Sequence, residues 1–534
     1  MRISRRLLLG AAAAAGAVAW GGVAVARMAR APSGPKDAGR VADLDGVALA
    51  RPPLQPLPAS DPALPWSMKG GTLNDAGGLS RTPVYGVVEV ATRADVAAAL
   101  AFARASGLKV AMAGVRHSMG GQAFDDNALV LDMRRFNRIE LDAGRRTVRV
   151  EPGATWHDIQ AVLHPRFAVK AMQSSDIFSV GGSISVNAHG MDHHAGAIAG
   201  SLRSFDLMLA DGSVVTCSQD RNADLFRHVV GGYGLFGVVL SAEFDIVDNA
   251  VYRTAREIIA SADFPVYFAD RIAGDERLGL FYGHLSTAPG SLLEEMVVYR
   301  YERVADRAPA DMPTLGAPSL TGLRRLILNL SKHGDWLREA KWYAERTLEP
   351  KFESCTVPRT AALGEGEACL VSRNDPMHDS VAYLANDLAG DTDILHEYFF
   401  PREEYAAFIP AAREVLRAHR ANLLNASIRV VEADAIALPY ATGPAFSLVL
   451  YVNQSTDPAG NAAMRALTRA LIDLTLSHRG RFFLPYQIHY TRGQLLASYP
   501  ELPAFLAAKR AYDPDELFTS TFYRALRTAV PAAA

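Results

Sequence analysis

Gly114-Val115-Arg116-His117-Ser118-Met119-Gly120-Gly121 is the stretch on which the reading of this chain turns. An apolar run, Leu108 to Ala113, precedes it, and a strand-like run, Ala128 to Met133, follows. Glycine lets backbone approach a phosphate closely and adopt conformations that side chains resist. A histidine held in such a turn adds an imidazole that can bond to whatever the turn cradles. The plain alternative is a tight turn carrying an incidental surface histidine.

Outward from the turn, Val84 to Val90 reads as a strand, and Arg93 to Ser106 as a one-faced helix that Gly107 ends. Thr147 to Val150 reads as a strand and Thr155 to Leu163 as a helix. Two glycine-rich segments, read as loops, follow at Ser179–Gly190 and Gly231–Gly237. Between them, Ser204 to Leu209 and Ser213 to Cys217 make a hairpin around Ala210-Asp211-Gly212. Val238 to Val247 is another strand. From about residue 248 longer strands alternate with helices. Leu323 to Arg346 is strongly helical, and Leu395–Phe400, Ala426–Val431 and Phe446–Asn453 are strands. The fold class expected is α+β.

The chain has 534 residues, enough for roughly three to four domain-sized units. A formal net charge of −2 gives no basic excess for nucleic acid. Arg5-Arg6, the apolar stretch from Leu7 to Ala26 and the small-residue Ala24-Val25-Ala26 read as a twin-arginine export signal, with a periplasmic destination. The alternative is an uncleaved inner-membrane anchor over residues 7–26. Residues 27–79 read as a Pro/Ala-rich linker or arm. The three cysteines, Cys217, Cys355 and Cys369, have no CxxC spacing, which argues against zinc or iron–sulfur ligation; Cys355 and Cys369 could pair in an oxidising compartment.

Three motifs have simpler readings. Gly232, Gly234 and Gly237 spell G-x-G-x-x-G, but a helix-like segment precedes them and a β-branched run follows, the reverse of a dinucleotide fingerprint. His189, His193 and His194 form a small cluster; on a helix His189 and His193 would share a face, but Gly190 argues for a loop, so no metal site is expected. No G-x-S-x-G elbow points to a serine hydrolase.

The ordered set of the Val84–Ala111 unit, the histidine turn, the Val180–Gly190 loop, the Gly231–Val238 loop and the closing Tyr512-Asp513-Pro514-Asp515-Glu516-Leu517-Phe518 resembles the vanillyl-alcohol oxidase / p-cresol methylhydroxylase family of FAD enzymes. It looks most like the sugar, aldonolactone and alditol oxidase branch. The resemblance implies a two-part FAD-binding domain over residues 80–247, a substrate (cap) domain over 248–480, and a C-terminal segment, 481–534, completing the flavin site. It places backbone of Gly114, Val115, Arg116, Ser118 and Gly120, beside Gly121, on the FAD pyrophosphate, and makes His117 the residue that in covalent members attaches to the flavin. Gly181, Gly182 and Ser183 would run beside the pyrophosphate and ribityl chain. Asn187, Ala188, His189 and Gly190 would lie near the ring, with Gly232, Gly234, Gly237 and Val238 closing around it. His189 could equally be a satisfied core histidine.

In the second domain, Ser427-Ile428-Arg429 resembles a Glu-x-Arg strand of alditol oxidases. Arg429 matches the arginine, suited to charge on a substrate oxygen, while Ser427 replaces the glutamate and puts a polyol substrate in doubt. Pro485-Tyr486-Gln487-Ile488-His489-Tyr490 falls where that branch carries a His-Trp-Gly-Lys segment. On a strand, Tyr486 would face opposite to Gln487 and His489, and either His489 or Tyr486 could serve as base or hydrogen-bond donor. His396-Glu397-Tyr398 reads as sheet surface. The resemblance implies a small alcohol, sugar or lactone-like substrate and oxygen or another electron acceptor. The rivals are a dehydrogenase of a lipid-linked sugar and a flavin-scaffold binding protein without turnover.

Overall fold

The computed structural model describes residues 25–32, 36–40, 43–44, 47–49, 55, 63–305, 307, 315, 321–347, 370–378 and 388–530. Four strands carry the histidine turn: β1 (Trp66–Lys69), β2 (Gly86–Glu89), β3 (Val110–Ala113) and β4 (Leu129–Asp132), in the order β1-β2-β4-β3. β2 and β3 both run parallel to β4. Parallel neighbours need a crossover, and α1 (Arg93–Ala105) supplies one between β2 and β3. Thr92 and Asp95 form its capping box, and Val96, Ala99, Leu100 and Ala103 make its buried stripe. The turn that begins at Gly114 directly follows β3.

A second sheet has the order β9-β8-β10-β6-β5, with β7 also pairing β10. Its strands are β5 (Ile139–Asp142), β6 (Thr147–Val150), β7 (Phe167–Val169), β8 (Leu202–Met208), β9 (Val214–Ser218) and β10 (Val238–Asp248). β8 and β9 form the expected hairpin. α2 (Trp156–Leu163) starts at a Thr155/Asp158 capping box. The expected glycine loop at Ser179–Gly190 is a short helix instead, α3 (Val180–Val186). Gly, Ser and Val are poor helix formers, but Val180 and Ile184, one turn apart, are both fully buried, so packing overrides propensity. α4 (Ala223–Val229) precedes the Gly231–Gly237 loop and β10 follows it, the inverted order read from the sequence.

The third sheet runs β14-β11-β13-β12-β16-β17-β15-β18. It comprises β11 (Val251–Ala260), β12 (Leu278–Leu285), β13 (Glu295–Arg303), β14 (Leu370–Ser372), β15 (Asp391–Pro401), β16 (Asn422–Val431), β17 (Ala445–Ser455) and β18 (Arg481–Phe482). The helical stretch Leu323–Arg346 divides into α5 (Thr321–Ser331) and α6 (Asp335–Thr347) around Gly334. α7 (Asp375–His378) follows β14, and α8 (Tyr405–Ala418) and α9 (Pro458–Ser477) follow β15 and β17.

The chain ends with α10 (Leu502–Tyr512) and α11 (Thr521–Ala529). Between them the closing motif returns to the first sheet: Val110 N donates to Leu517 O at 2.7 Å and Thr519 N to Val110 O at 2.9 Å. The Asp513 carboxylate accepts the N–H groups of Leu517 (2.8 Å) and Phe518 (2.9 Å) and pairs with buried Lys509. Cys217 is buried and free, and burial pushes its thiol up to about 12. Cys355, Cys369, Arg5-Arg6 and the leader up to residue 24 lie outside the described residues. Among the described residues no helix is long and apolar enough to cross a membrane.

Candidate active site

The turn Gly114–Ser118, the segment Gln173–Ser183, the loop Tyr233–Val239 and one face of the third sheet enclose a cavity of about 800 Å³. Cofactor and ligand sites span roughly 300–1,000 Å³. Strand alternation selects the sheet face: Tyr282 and His284 on β12, Tyr299 and Tyr301 on β13, Leu395 and Glu397 on β15, Asn425, Ser427 and Arg429 on β16, Val449 and Tyr451 on β17 all line it. Register aligns Glu397, Val449, Ser427 and His284 in one row across four strands.

The histidine turn presents backbone to the same cavity. The N–H groups of Val115, Arg116, His117 and Ser118 find no acceptor among the described residues. Arg116 takes the left-handed conformation, at φ 56°. Consecutive unsatisfied N–H groups form a concavity for an anion. His117 packs edge-on against Phe178, ring centroids 4.7 Å apart, and burial lowers its imidazole to about 4, so the ring is neutral near pH 7. Its Nδ1 is buried without a partner.

The sheet wall carries the polar chemistry. Glu397 Oε1 lies 2.7 Å from His189 Nε2 and accepts from Ser447 Oγ at 2.8 Å. With Nε2–H donated to the carboxylate, Nδ1 of His189 holds a lone pair; that atom is buried and unpartnered. Phe399, Tyr440 and Phe483 surround the ring at 5.7, 5.7 and 6.2 Å. The Tyr486 hydroxyl hydrogen-bonds Glu397, and burial holds this phenol well above its ordinary value, so it keeps its proton. The Arg429 guanidinium stacks over Tyr282 at 4.4 Å, with Nη1 buried and unpartnered.

Several expected site residues lie elsewhere. Gly120 and Gly121 do not line the cavity, because their N–H groups are taken by Gln122 Oε1 and Asp75 Oδ2. A Cβ on Gly120 would stand 2.3 Å from Tyr486 O, so this glycine serves a close crossing of two segments. Asn187 ends α3 in the left-handed conformation and spends its side chain on Asp434 (2.7 Å) and Ala199 N (3.1 Å). Gly190 and Gly232 pack on backbone, where a Cβ would meet Met172 O at 1.8 Å and His228 O at 1.9 Å. Residues 483–490 form irregular turns rather than a strand. Gln487 and His489 are absent from the cavity wall, and Gln487 borders a separate void of about 20 Å³ with His396 and Tyr398. Burial, with His396, Arg465 and Arg469 nearby, lowers His489 to about 3, unsuited to a base. His193 and His194 contact each other at 3.9 Å between centroids. The remaining expected residues, Gly114 to Ser118, Gly181 to Ser183, His189, Gly234, Gly237, Val238, Arg429 and Tyr486, all line the cavity.

The sequence reading missed Glu397. Its neighbours His396 and Tyr398, pointing the other way, are as buried as it is, so both faces of β15 are covered and alternation carries no signal. It also missed Glu345, which burial alone would raise but which Lys341 and His284 hold down to about 2.

Residues 84–218 match the family described as FAD binding domain. The decaprenylphosphoryl-beta-D-ribose oxidase of Mycolicibacterium smegmatis is 31% identical over 172 residues, 31% of this chain and 37% of that protein. The L-gulonolactone oxidase of Mus musculus is 29% identical over 181 residues, 32% of this chain and 40% of that protein. Over its FAD-binding region the chain is similar to p-cresol methylhydroxylase-type FAD oxidoreductases. An FAD-linked oxidoreductase of Pyricularia oryzae is 24% identical over 463 residues, 83% of this chain and 84% of its own length. The chain spans about two fifths of the length of the first two relatives named.

The cavity's donor set fits FAD. Unsatisfied N–H groups of Val115 to Ser118 suit a pyrophosphate, and the unpartnered Nδ1 of His117 lies buried in the same turn. A Cβ on Gly114 would stand 2.1 Å from Ser179 Oγ, so glycine lets the two cofactor segments touch.

Proposed function

We propose that this protein is an FAD-dependent oxidoreductase that oxidises a hydroxyl-bearing carbon of a small sugar, polyol or lactone-like molecule. The observation that carries this reading is the His189–Glu397 pair at the cavity wall, with one ring nitrogen bonded to the carboxylate and the other unpartnered. Bound FAD supplies the acceptor for the hydride leaving carbon, before electrons pass to oxygen or another acceptor. His189 Nδ1 takes the hydroxyl proton, and Glu397 orients the imidazole and balances the positive charge it gains. Arg429 holds the substrate oxygen through Nη1, where a guanidinium offsets developing negative charge. Tyr486, protonated, donates its one O–H to Glu397 and steadies that carboxylate. His117 is the attachment point if the flavin is covalent. The leader Arg5-Arg6 supports export by the twin-arginine route, which carries proteins already loaded with cofactor.

The test is anaerobic mixing of the purified holoprotein with free sugars, polyols and aldonolactones, following loss of oxidised-flavin absorbance. Rapid bleaching by one class supports the reading, and no bleaching by any of them overturns it. Peroxide release against dye reduction then separates oxidase from dehydrogenase. A second reading is a dehydrogenase of a lipid-linked sugar or other apolar alcohol. The wall of Tyr282, Tyr299, Tyr301 and Tyr451 favours it, as does the likeness to a relative named for decaprenylphosphoryl-beta-D-ribose. Bleaching by a prenylphosphoryl sugar but not by the free sugar selects it.

A further inference from the structure

His157, Asp176 and His378 converge from three separate segments: the first turn of α2, the connection from β7 to α3, and the end of α7. Both histidines aim Nδ1 at one carboxylate oxygen, Asp176 Oδ2, at 3.0 Å from His157 and 2.5 Å from His378. The two rings stack, centroids 5.1 Å apart and planes 24° from parallel. The three side chains can each offer one ligand atom, all within 4.8 Å of one another. Asp176 and His378 are nearly enclosed, at 4% and 12% side-chain exposure, whereas His157 is 49% exposed and opens the cluster to water.

Further hydrogen bonds hold the three arms in place. His157 N donates to Asp176 O at 2.8 Å and Trp156 N to Phe178 O at 3.1 Å, clamping α2 to the Asp176 segment. Buried Arg373 donates to Lys170 O (2.9 Å) and Val169 O (3.2 Å), and Gln160 Nε2 donates to Asn374 O (3.2 Å), docking β14 and α7 on the second sheet. The residues are 19 and 202 positions from Asp176, so no ligand spacing marks the cluster in the sequence.

Two imidazoles and a carboxylate are a donor set for Zn²⁺ and other late divalent ions, which take such ligands at about 2.0–2.2 Å and hold them about 3.3 Å apart in a tetrahedral shell. The ligand atoms, 3.0 and 2.5 Å from Asp176 Oδ2 and all within 4.8 Å of one another, lie close to that spacing. We propose that His157, Asp176 and His378 form a divalent transition-metal site, with water completing the shell, that pins the β14–α7 segment to the loop entering α3. Ser175, Phe178 and His378 also line the large cavity, and Phe178 packs on His117, so the ion fastens a wall of that cavity. The rival for the same contacts is a His–Asp–His hydrogen-bonded bridge that holds no metal.

The experiment uses the full-length holoprotein, untagged and treated with chelator, titrated with Zn²⁺ against a chromophoric competitor. One Zn²⁺ per chain at micromolar or tighter affinity is expected. His378→Ala and Asp176→Asn should weaken it at least tenfold. His157→Ala, changed on the water-facing side, should do the same while leaving circular dichroism and FAD content unaltered, which guards against variants that misfold. His194→Ala, a histidine outside the cluster, should leave affinity unchanged. Co²⁺ loading should give a visible d–d band that His157→Ala abolishes. Absence of stoichiometric Zn²⁺ binding, or binding unchanged in both His157→Ala and Asp176→Asn, overturns the proposal and leaves the hydrogen-bonded bridge. Neither result depends on turnover, so failure here is separable from failure of the redox reading.

Discussion

His189 and Glu397 meet at 2.7 Å, joining the segment after α3 to β15 across the cavity wall. If this pair receives the substrate proton, His189→Ala should slow flavin reduction by about 10²- to 10⁴-fold, the range of a lost general base. Glu397→Gln should give a smaller loss, because the ring keeps a hydrogen-bonded neighbour but loses the countercharge. Stopped-flow measurement of the reductive half-reaction decides, and an unchanged rate in His189→Ala would remove the base from this site.

Arg429 should act on the rate rather than on folding. Arg429→Ala should lower the rate of flavin reduction by about 10²-fold, the scale of one lost charge-stabilising donor, and Arg429→Lys should recover only part because it cannot reproduce the fork and stack over Tyr282. Rate and substrate affinity measured separately check this: a change in KM alone would reduce Arg429 to ground-state binding.

His117→Ala should leave FAD bound but no longer held after acid denaturation. Yellow fluorescence that stays with the wild-type chain and moves to the supernatant in the variant is the expected result. Fluorescence retained by the variant would place the link elsewhere.

Stability should fall as pH drops below neutral. Burial lowers His193 and His396 to about 4 and His489 to about 3. Their folded values lie below the ordinary 6.5, so the stability they contribute is complete above that pH and is lost as pH falls toward the folded values. Asp75, raised to about 6 by burial, runs the other way: its contribution is present below about 4 and lost as pH rises to 6. The buried histidines outweigh the buried carboxyl, and a net loss of stability of about a few kcal/mol is expected between pH 7 and 5. Urea midpoints at the two pH values measure it, and equal midpoints would contradict it.

Asp513→Ala should destabilise the chain by about 3–5 kcal/mol, because it strands the buried Lys509 ammonium and two backbone N–H groups. The pair of changes Lys509→Met and Asp513→Asn should cost less than Asp513→Ala alone. Chemical denaturation of both variants tests the difference.

Much of the first two sheets was legible. The Arg93–Ser106 helix, its Gly107 stop and the Ala210-Asp211-Gly212 turn are local signals that neighbouring residues suffice to read. Where packing decides, the sequence misleads. Val180–Val186 is helical because Val180 and Ile184 are buried, and Pro485–Tyr490 is not a strand although its residues alternate. Gln487 and His489 were candidates for the same reason and face away from the cavity.

The sequence by itself determined the histidine turn, the order of glycine segments and the closing motif, because each depends on backbone freedom or on contacts a few residues away. The tertiary structure alone decided which polar groups face the cavity. Glu397 joins His189, and Asp176 gathers two distant histidines, through strand register and segment docking. Those are settled by which faces become buried, and no window of sequence contains that information.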